Sequence, residues 1–458
     1  MNFSDLSIGN PKRKKQSLTA WDEFFPYYAG YPDSFARNIL SSAHLDPRAV
    51  ILDPWNGSGT TTYVASQMGF SAIGLDLNPV MLLVARSRML ASSEADSLPP
   101  LAAEVLRRAS DENIGCTGDD PLLSWFERDT ADWLRSIELS TRSILLGDLT
   151  LTPHGINFDR ISSLAATFYV ALFNLAKNLA SAFQSSNPTW LRKPKNAEPK
   201  SSLPRREISK RFLAKIKGVS EALFAKSDLL LTVDPAPVST RLFDSTNPHS
   251  PDRSVDFVLT SPPYCTRIDY TAATRIQLAV LHPLIGSSID DLSRGMIGSI
   301  KVPKKSVQIR PEWGTKCVRF LRQVGEHQSH GSATYYLKTL VDYFDKIDRS
   351  ISNVASALKE GGVAVLVVQD SHYKEIHNDV PAMIVEIAHT HDLDLKRRDD
   401  FEVKTSMSGI NPRARAYDKR SKIVESVLCF QKNAANSEER LWPAVPSQPV
   451  RPMSKREL

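Results

Sequence analysis

Ser261, Pro262, Pro263 and Tyr264 follow directly on the apolar run of residues 255–259. Proline has no N–H donor, so a β-ladder cannot continue through the pair. A strand stopped in this way presents a hydroxyl, a carbonyl and an aromatic ring at its carboxyl end, a set suited to a flat polar ligand. A second stretch, "DPWNGSGTT" (residues 53–61), joins an apolar run to a segment of helical spacing. Gly57 and Gly59 let the backbone come close to a ligand and turn N–H groups toward it. The lysine of a phosphate-binding P-loop is missing, which argues against nucleotide hydrolysis. Asp76 closes the next apolar run, where a carboxylate can accept from a ribose diol. Each stretch alone reads equally well as a stiff corner or a tight turn. Together, with Asp76 between them, they point to a site.

The elements that must position these groups are legible nearby. Residues 49–52 form a buried strand, 60–68 a helix, 71–75 a second strand, and 79–90 a helix opened by proline at its first turn. Strand, glycine loop, helix, strand, acid, helix is the start of a parallel α/β sheet. A helix is also expected over 34–43. Residues 95–225 hold few strand-like runs and read as a helical insert. Strands resume at 229–233 and 255–259, then at 361–370, 401–404 and 425–430, with a helix over 380–391. The resulting division is a flexible basic tail (1–17), a first half-domain (18–94), the helical insert (95–225), a second half-domain (226–435) and a polar tail (436–458).

A chain of 458 residues with 41% hydrophobic and 24% charged residues can build a large core. No apolar stretch is long enough to span a bilayer, and no apolar segment follows the basic cluster near the N-terminus. Cys116, Cys265, Cys317 and Cys429 are widely spaced, which suits a reducing cytoplasm and no disulfide framework. The histidines form no ligand set with cysteine, so no metal is expected. A net charge of +6 barely favours a nucleic-acid partner by itself.

"DPWNGSGTT", "GLDLNP" and "TSPPYC" resemble the signatures of the S-adenosylmethionine-dependent methyltransferases that modify exocyclic amines of DNA bases. Trp55 replaces the more usual phenylalanine. The resemblance covers residues 20–90 and 227–432. It implies a Rossmann-like class I methyltransferase fold, a seven-stranded mostly parallel sheet, with target recognition in the insert. It further implies S-adenosylmethionine held by Asp53, Pro54, Trp55, Gly57, Ser58, Gly59, Thr60, Asp76 and Asn78. Tyr28 and Phe35 would join from the aromatic segment 27–35. Asp244 in "RLFDST" would contact the adenine ring, with "LLGDL" (145–149) competing for that role.

The tetrad has a physical rationale in such an enzyme. An exocyclic amine is a poor nucleophile because its lone pair is conjugated into the ring. Acceptors around it, here the Ser261 hydroxyl and the Pro262 carbonyl, favour the pyramidal form and stabilise developing positive charge. Pro263 stiffens the loop, and Tyr264 can stack on an extruded base for ~1–3 kcal/mol, comparable to the cost of flipping. Cys265 lies one residue too far from the prolines to match a cytosine-C5 nucleophile and reads as a small core side chain.

Serine at the first tetrad position resembles N4-cytosine enzymes more than N6-adenine enzymes, which more often carry aspartate. The partner implied is double-stranded DNA, in restriction–modification or phage defence beside a cognate endonuclease. Two alternatives stay open. One is an RNA methyltransferase of the guanine-N2 type, and the other a non-enzymatic DNA-binding protein with this fold. For DNA contact the candidates are Trp190, Arg192, Lys193, Arg205, Arg206, Lys210 and Arg211, in a stretch with ten Lys/Arg against two Glu over 192–217, and Arg413 and Arg415 in a late loop. A solvated linker and basic helix is the competing account.

Overall fold

The computed structural model describes residues 2–13, 24–25, 30–112, 115–147, 149, 151–185, 190–195, 198–227, 234–248, 254–265, 270–301, 307–403 and 423–434. The first half-domain alternates α1 (Asp33–Ser42), β1 (Val50–Asp53), α2 (Thr60–Gln67), β2 (Ser71–Asp76) and α3 (Pro79–Ser87). Asn78 caps α3 by accepting from the Val80 N–H, and Pro79 occupies its first turn, where a missing donor costs nothing. The helical region holds α4 (Leu98–Glu112), α5 (Arg128–Leu145), α6 (Ser163–Leu179) and α7 (Arg205–Ser227). The chain then returns to the sheet with β3 (Val238–Leu242) and β4 (Val255–Thr260). Short helices α8 (Tyr270–Ala273), α9 (Arg275–Leu281) and α10 (Ile289–Gly295) follow, then α11 (Thr315–Glu326) and α12 (Leu337–Ala357). The last elements are β5 (Leu358–Gln369), the hairpin β6 (Ser371–Tyr373) and β7 (Ile376–Asn378), α13 (Val380–Thr390), β8 (Leu393–Val403) and β9 (Ile423–Lys432).

Seven strands form one sheet in the order β3-β2-β1-β4-β5-β9-β8. The pairs from β3 to β5 are parallel and β9 is antiparallel to both its neighbours, so the mostly parallel Rossmann-like sheet is the observed architecture. The strand order reverses between β1 and β4, which opens a crevice at their carboxyl ends. One face of the sheet packs on α1 and α2 through Ile39, Val64, Phe257, Val365 and Val427. The other packs on α11, α12 and α13 through Phe344, Ile347, Leu366, Ile384 and Leu428.

Several expectations change. Residues 229–233, read as a strand, lie outside the described residues, and the edge strand beside β2 is 238–242. β8 begins at Leu393, not near Phe401, because "DLKRRDD" hides an edge strand under charge. Arg397 pairs with Asp399 and Arg398 with Asp400, two residues apart on the same strand face. Residues 2–13, expected as part of a flexible tail, pack against that edge. Leu6 is buried, and the Arg397 guanidinium donates to the carbonyls of Phe3 and Leu6. The helical region is not a closed unit either, since α9 from the second half-domain shares its core through Ile276, Leu278 and Leu281.

Candidate functional site

A cleft at the carboxyl ends of β1, β2 and β4 brings both motifs together. Its walls include Asp53, Pro54, Trp55, Gly57, Ser58, Thr60, Asp76, Asn78 and Asp244 with Ser261, Pro262, Pro263 and Tyr264. Two chain segments that are far apart in sequence therefore line one cavity. β1 and β4 are adjacent parallel strands, so the loops that leave them start side by side.

The glycine loop is held from several directions. Asp76 closes β2 and accepts from the Gly57 N–H at 2.9 Å and the Asn78 N–H at 2.8 Å. Asn56 packs its amide on Gly74, where a Cβ would lie 2.5 Å from it, and accepts from the Thr62 hydroxyl. Gly59 has φ +78, and a Cβ there would come within 2.8 Å of Ala85, so this glycine is required for packing α2 on α3 and does not line the cleft. Asp53 accepts from the Thr260 hydroxyl at 2.6 Å and the Trp55 N–H at 3.1 Å. Burial raises both Asp53 and Asp76 from the ordinary aspartate value to about 6, against the pull of these hydrogen bonds. The Trp55 indole N–H is buried and has no acceptor among the described residues. Among the described residues, a donor without a partner and two carboxylates without a cation suit a ligand carrying hydroxyls and positive charge.

The tetrad is equally fixed. The Ser261 hydroxyl donates to the Val367 carbonyl of β5 at 3.0 Å. Its single proton is thereby committed and its lone pairs remain available. Tyr343 donates to the Pro263 carbonyl at 3.0 Å, whereas among the described residues no donor reaches the carbonyl of Pro262. The Tyr264 N–H donates to the Tyr270 hydroxyl at 3.1 Å. Burial, then the neighbouring Glu425 charge, push the Tyr264 hydroxyl above its ordinary value, so the ring stays neutral. Cys265 is buried and its thiol is pushed up to about 12 by burial, which leaves no reactive thiolate.

Tyr28 lies outside the described residues. Phe35 is a correction: it sits in the core with Ala36, Ile39 and Leu40, while Tyr31 lines the cleft. The spacing 35, 36, 39, 40 is a buried helix stripe and carried that signal. Tyr31 donates to Thr61 at 2.6 Å, because the Thr61 proton is spent on the Leu259 carbonyl. Phe243 and Ser245, which flank Asp244 in "RLFDST", also line the cleft, as do Tyr270, Met296 and Ile297, which no motif marks. Lys346 ties down the chain at Met296, its ammonium donating to the carbonyls of Arg294 at 2.6 Å and Met296 at 3.4 Å and pairing with Asp342. Asp148, the alternative to Asp244, lies outside the described residues.

The basic candidates of the helical region do not line this cleft. Arg192 pairs with Glu198, Arg211 pairs with Glu207, and Arg205 lies over the Trp133 ring. Trp190 is half-buried, and Lys193, Arg206 and Lys210 are exposed. Arg413 and Arg415 lie outside the described residues. Among the described residues no cluster of metal-ligating side chains occurs, and no helix is long and apolar enough to cross a membrane.

Comparison with known proteins gives related results. The N6_N4_Mtase family model, described as DNA methylase, matches residues 3–86. The Type II methyltransferase M.BsoBI of Geobacillus stearothermophilus is 23% identical over 302 residues, which cover 61% of this chain and 55% of that protein. The chain thus spans about half the length of this curated relative. An S-adenosylmethionine-dependent methyltransferase from Methanosarcina mazei aligns over 86% of this chain and 98% of its own, at 10% identity and a TM-score of 0.28. An rRNA methyltransferase from Streptomyces viridochromogenes aligns over 94% and 93%, at 13% identity and a TM-score of 0.27. The part of the chain that the DNA methylase family matches carries β1, the glycine loop, β2 and most of α3.

Proposed function

We propose that this protein is an S-adenosylmethionine-dependent DNA methyltransferase that modifies the N4 amine of cytosine in duplex DNA. The observation that carries the reading is the committed proton of Ser261. Its hydroxyl donates to the Val367 carbonyl and so can only accept from a substrate amine. The Pro262 carbonyl, which no donor reaches among the described residues, supplies a second acceptor. Two acceptors around an NH₂ favour the pyramidal nucleophile, and Tyr264 offers a neutral ring for a base turned out of the duplex.

S-adenosylmethionine, when bound, supplies a methyl group activated by its sulfonium. Asp76 would hold the ribose hydroxyls and the Gly57–Ser58 backbone the methionine part. Asp244 and Phe243 would flank the adenine, and Asp53 would face the ammonium. The tetrad loop and the Gly295–Ile297 segment both line the cleft, and a confined site of this kind favours in-line positioning over strong base catalysis. For DNA contact we assign Arg206, Lys210 and Lys193, which are exposed on the helical region. M.BsoBI is named a Type II methyltransferase, and a restriction–modification setting is the one we assign to this chain.

Expression in a methylation-deficient host, digestion of the DNA to nucleosides and mass spectrometry tests the reading. N4-methylcytosine is expected. N6-methyladenine would reassign the base, and neither would overturn DNA as the substrate.

A further inference from the structure

The run of paired residues on the antiparallel strands β5 and β9 ends in two polar side chains. Val365 faces Cys429 and Val367 faces Val427, all four in the core beneath α1 and α2. The next pair on the same face is Gln369 with Glu425. Directly opposite residues in a sheet place their side chains side by side. Phe401 of β8 flanks Glu425 on its other side. On β4 the same face carries Phe257 and Leu259, and the alternation continues to Ser261, which is tied to Val367. Ser261 therefore stands level with Val367 just past the carboxyl end of β4, and the Gln369–Glu425 pair lies one step further on the same face, at the carboxyl end of β5 and near the amino end of the antiparallel β9.

Glu425 is 8% exposed, yet among the described residues no hydrogen-bond donor meets its carboxyl. Neither does a partner engage the Gln369 amide, which is half-buried. The neighbouring Asp370 differs: it accepts from the Val424 N–H at 2.8 Å and meets His377 at 2.9 Å. A buried carboxyl without a donor is costly to keep charged. Burial raises Glu425 above its ordinary value against the favourable charge of Lys12, which favours the neutral acid, itself a donor. Its charge also acts on the Tyr264 hydroxyl, so it lies within electrostatic reach of the residue on which a base would stack.

We infer that Glu425 and Gln369 are specificity-determining residues that read the ring edge of the extruded base beyond its amine. The inference rests on the methyltransferase reading above. Glu425, as a carboxylic acid, donates to the ring nitrogen beside the amine, and the Gln369 amide donates to the next acceptor along that edge. Cytosine offers a carbonyl oxygen there, whereas adenine offers only a C–H group.

The test compares the full chain with Glu425→Ala, Glu425→Gln and Gln369→Ala in the methylation-deficient host. Modified nucleosides are quantified, and S-adenosylmethionine affinity is measured by calorimetry on each purified protein. Glu425→Ala should lower N4-methylcytosine by about tenfold or more with cofactor affinity unchanged, the loss of a buried hydrogen bond to substrate. Glu425→Gln keeps a donor and should recover most of the modification. Gln369→Ala should raise the proportion of N6-methyladenine. Wild-type levels in Glu425→Ala would overturn the inference. So would a Glu425→Gln as impaired as Glu425→Ala, an unchanged base ratio in Gln369→Ala, or parallel loss of cofactor binding in both Glu425 variants. If the wild-type protein modifies no DNA base, the functional reading itself fails and takes this inference with it.

Discussion

The helical region and the cleft both bury carboxylates, and they treat them in opposite ways. In the helical region Asp120 and Glu138 converge on Arg135. That guanidinium donates to Asp120 at 2.8 and 3.1 Å, to Glu138 at 3.3 Å, and to the carbonyls of Val280 and Ala279. Tyr169 supplies a further donor to Glu138 at 3.1 Å. In the cleft the donors that meet Asp53 and Asp76 among the described residues are neutral, backbone N–H groups and the Thr260 hydroxyl. A saturated network locks one packing arrangement and joins α5 to α9. A carboxylate without a cation keeps an unmet electrostatic demand, which a ligand can satisfy. The difference separates charge that builds the molecule from charge that awaits a partner.

Breaking the saturated side should have the largest effect. Arg135→Ala takes the buried guanidinium away from Asp120 and Glu138 and should cost about 3–5 kcal/mol of stability, read by chemical denaturation. Ser261→Ala should sharpen the other side: turnover falls about 10²–10³-fold while cofactor affinity by calorimetry stays put. Equal losses of both would show that Ser261 serves the fold and not the amine.

The cleft carboxylates should also reveal themselves by pH. Their folded values near 6 exceed the ordinary 3.8, so the folded state holds protons that the unfolded state has already released. Stability from these groups is therefore present at low pH and lost as pH rises through about 6. Cofactor affinity should run the opposite way and weaken as pH falls below about 6, with Asp76→Asn removing most of that dependence. The smallest effect belongs to the surface. Neutralising Arg206 and Lys210 together should reduce the salt slope of DNA binding by about 2, one per phosphate contact, in a filter-binding titration. Arg192→Ala and Arg211→Ala should change it less, because those cations already face Glu198 and Glu207.

Much of the positioning framework was readable from local pattern. Pro79 after Asn78 marks the start of α3, and the apolar runs of β1, β2 and β4 are bounded by aspartate or proline. What escaped was whatever depended on a neighbour. "DLKRRDD" looks like a solvated loop until β9 pairs with it, because an edge strand can turn charge outward. The basic stretch 192–217 reads in sequence as a candidate for phosphate contact or as a solvated linker and basic helix, and the fold gives two of its arginines to nearby glutamates. Gly57 and Gly59 looked equivalent, but one donates its N–H to Asp76 and the other admits Ala85.

By itself the sequence determined which strands are buried, where each chemical loop begins, and which residue types stand on those loops. Periodicity, proline and glycine act over a few residues, and a linear chain displays them directly. Only the tertiary structure decided that Asp53–Thr61 and Ser261–Tyr264 share a cleft, since that follows from the pairing of β1 with β4. It alone committed the Ser261 proton to Val367, and it alone set Gln369 opposite Glu425. Each of these depends on strand order and register, which pair residues far apart in sequence through hydrogen bonds that no local pattern records.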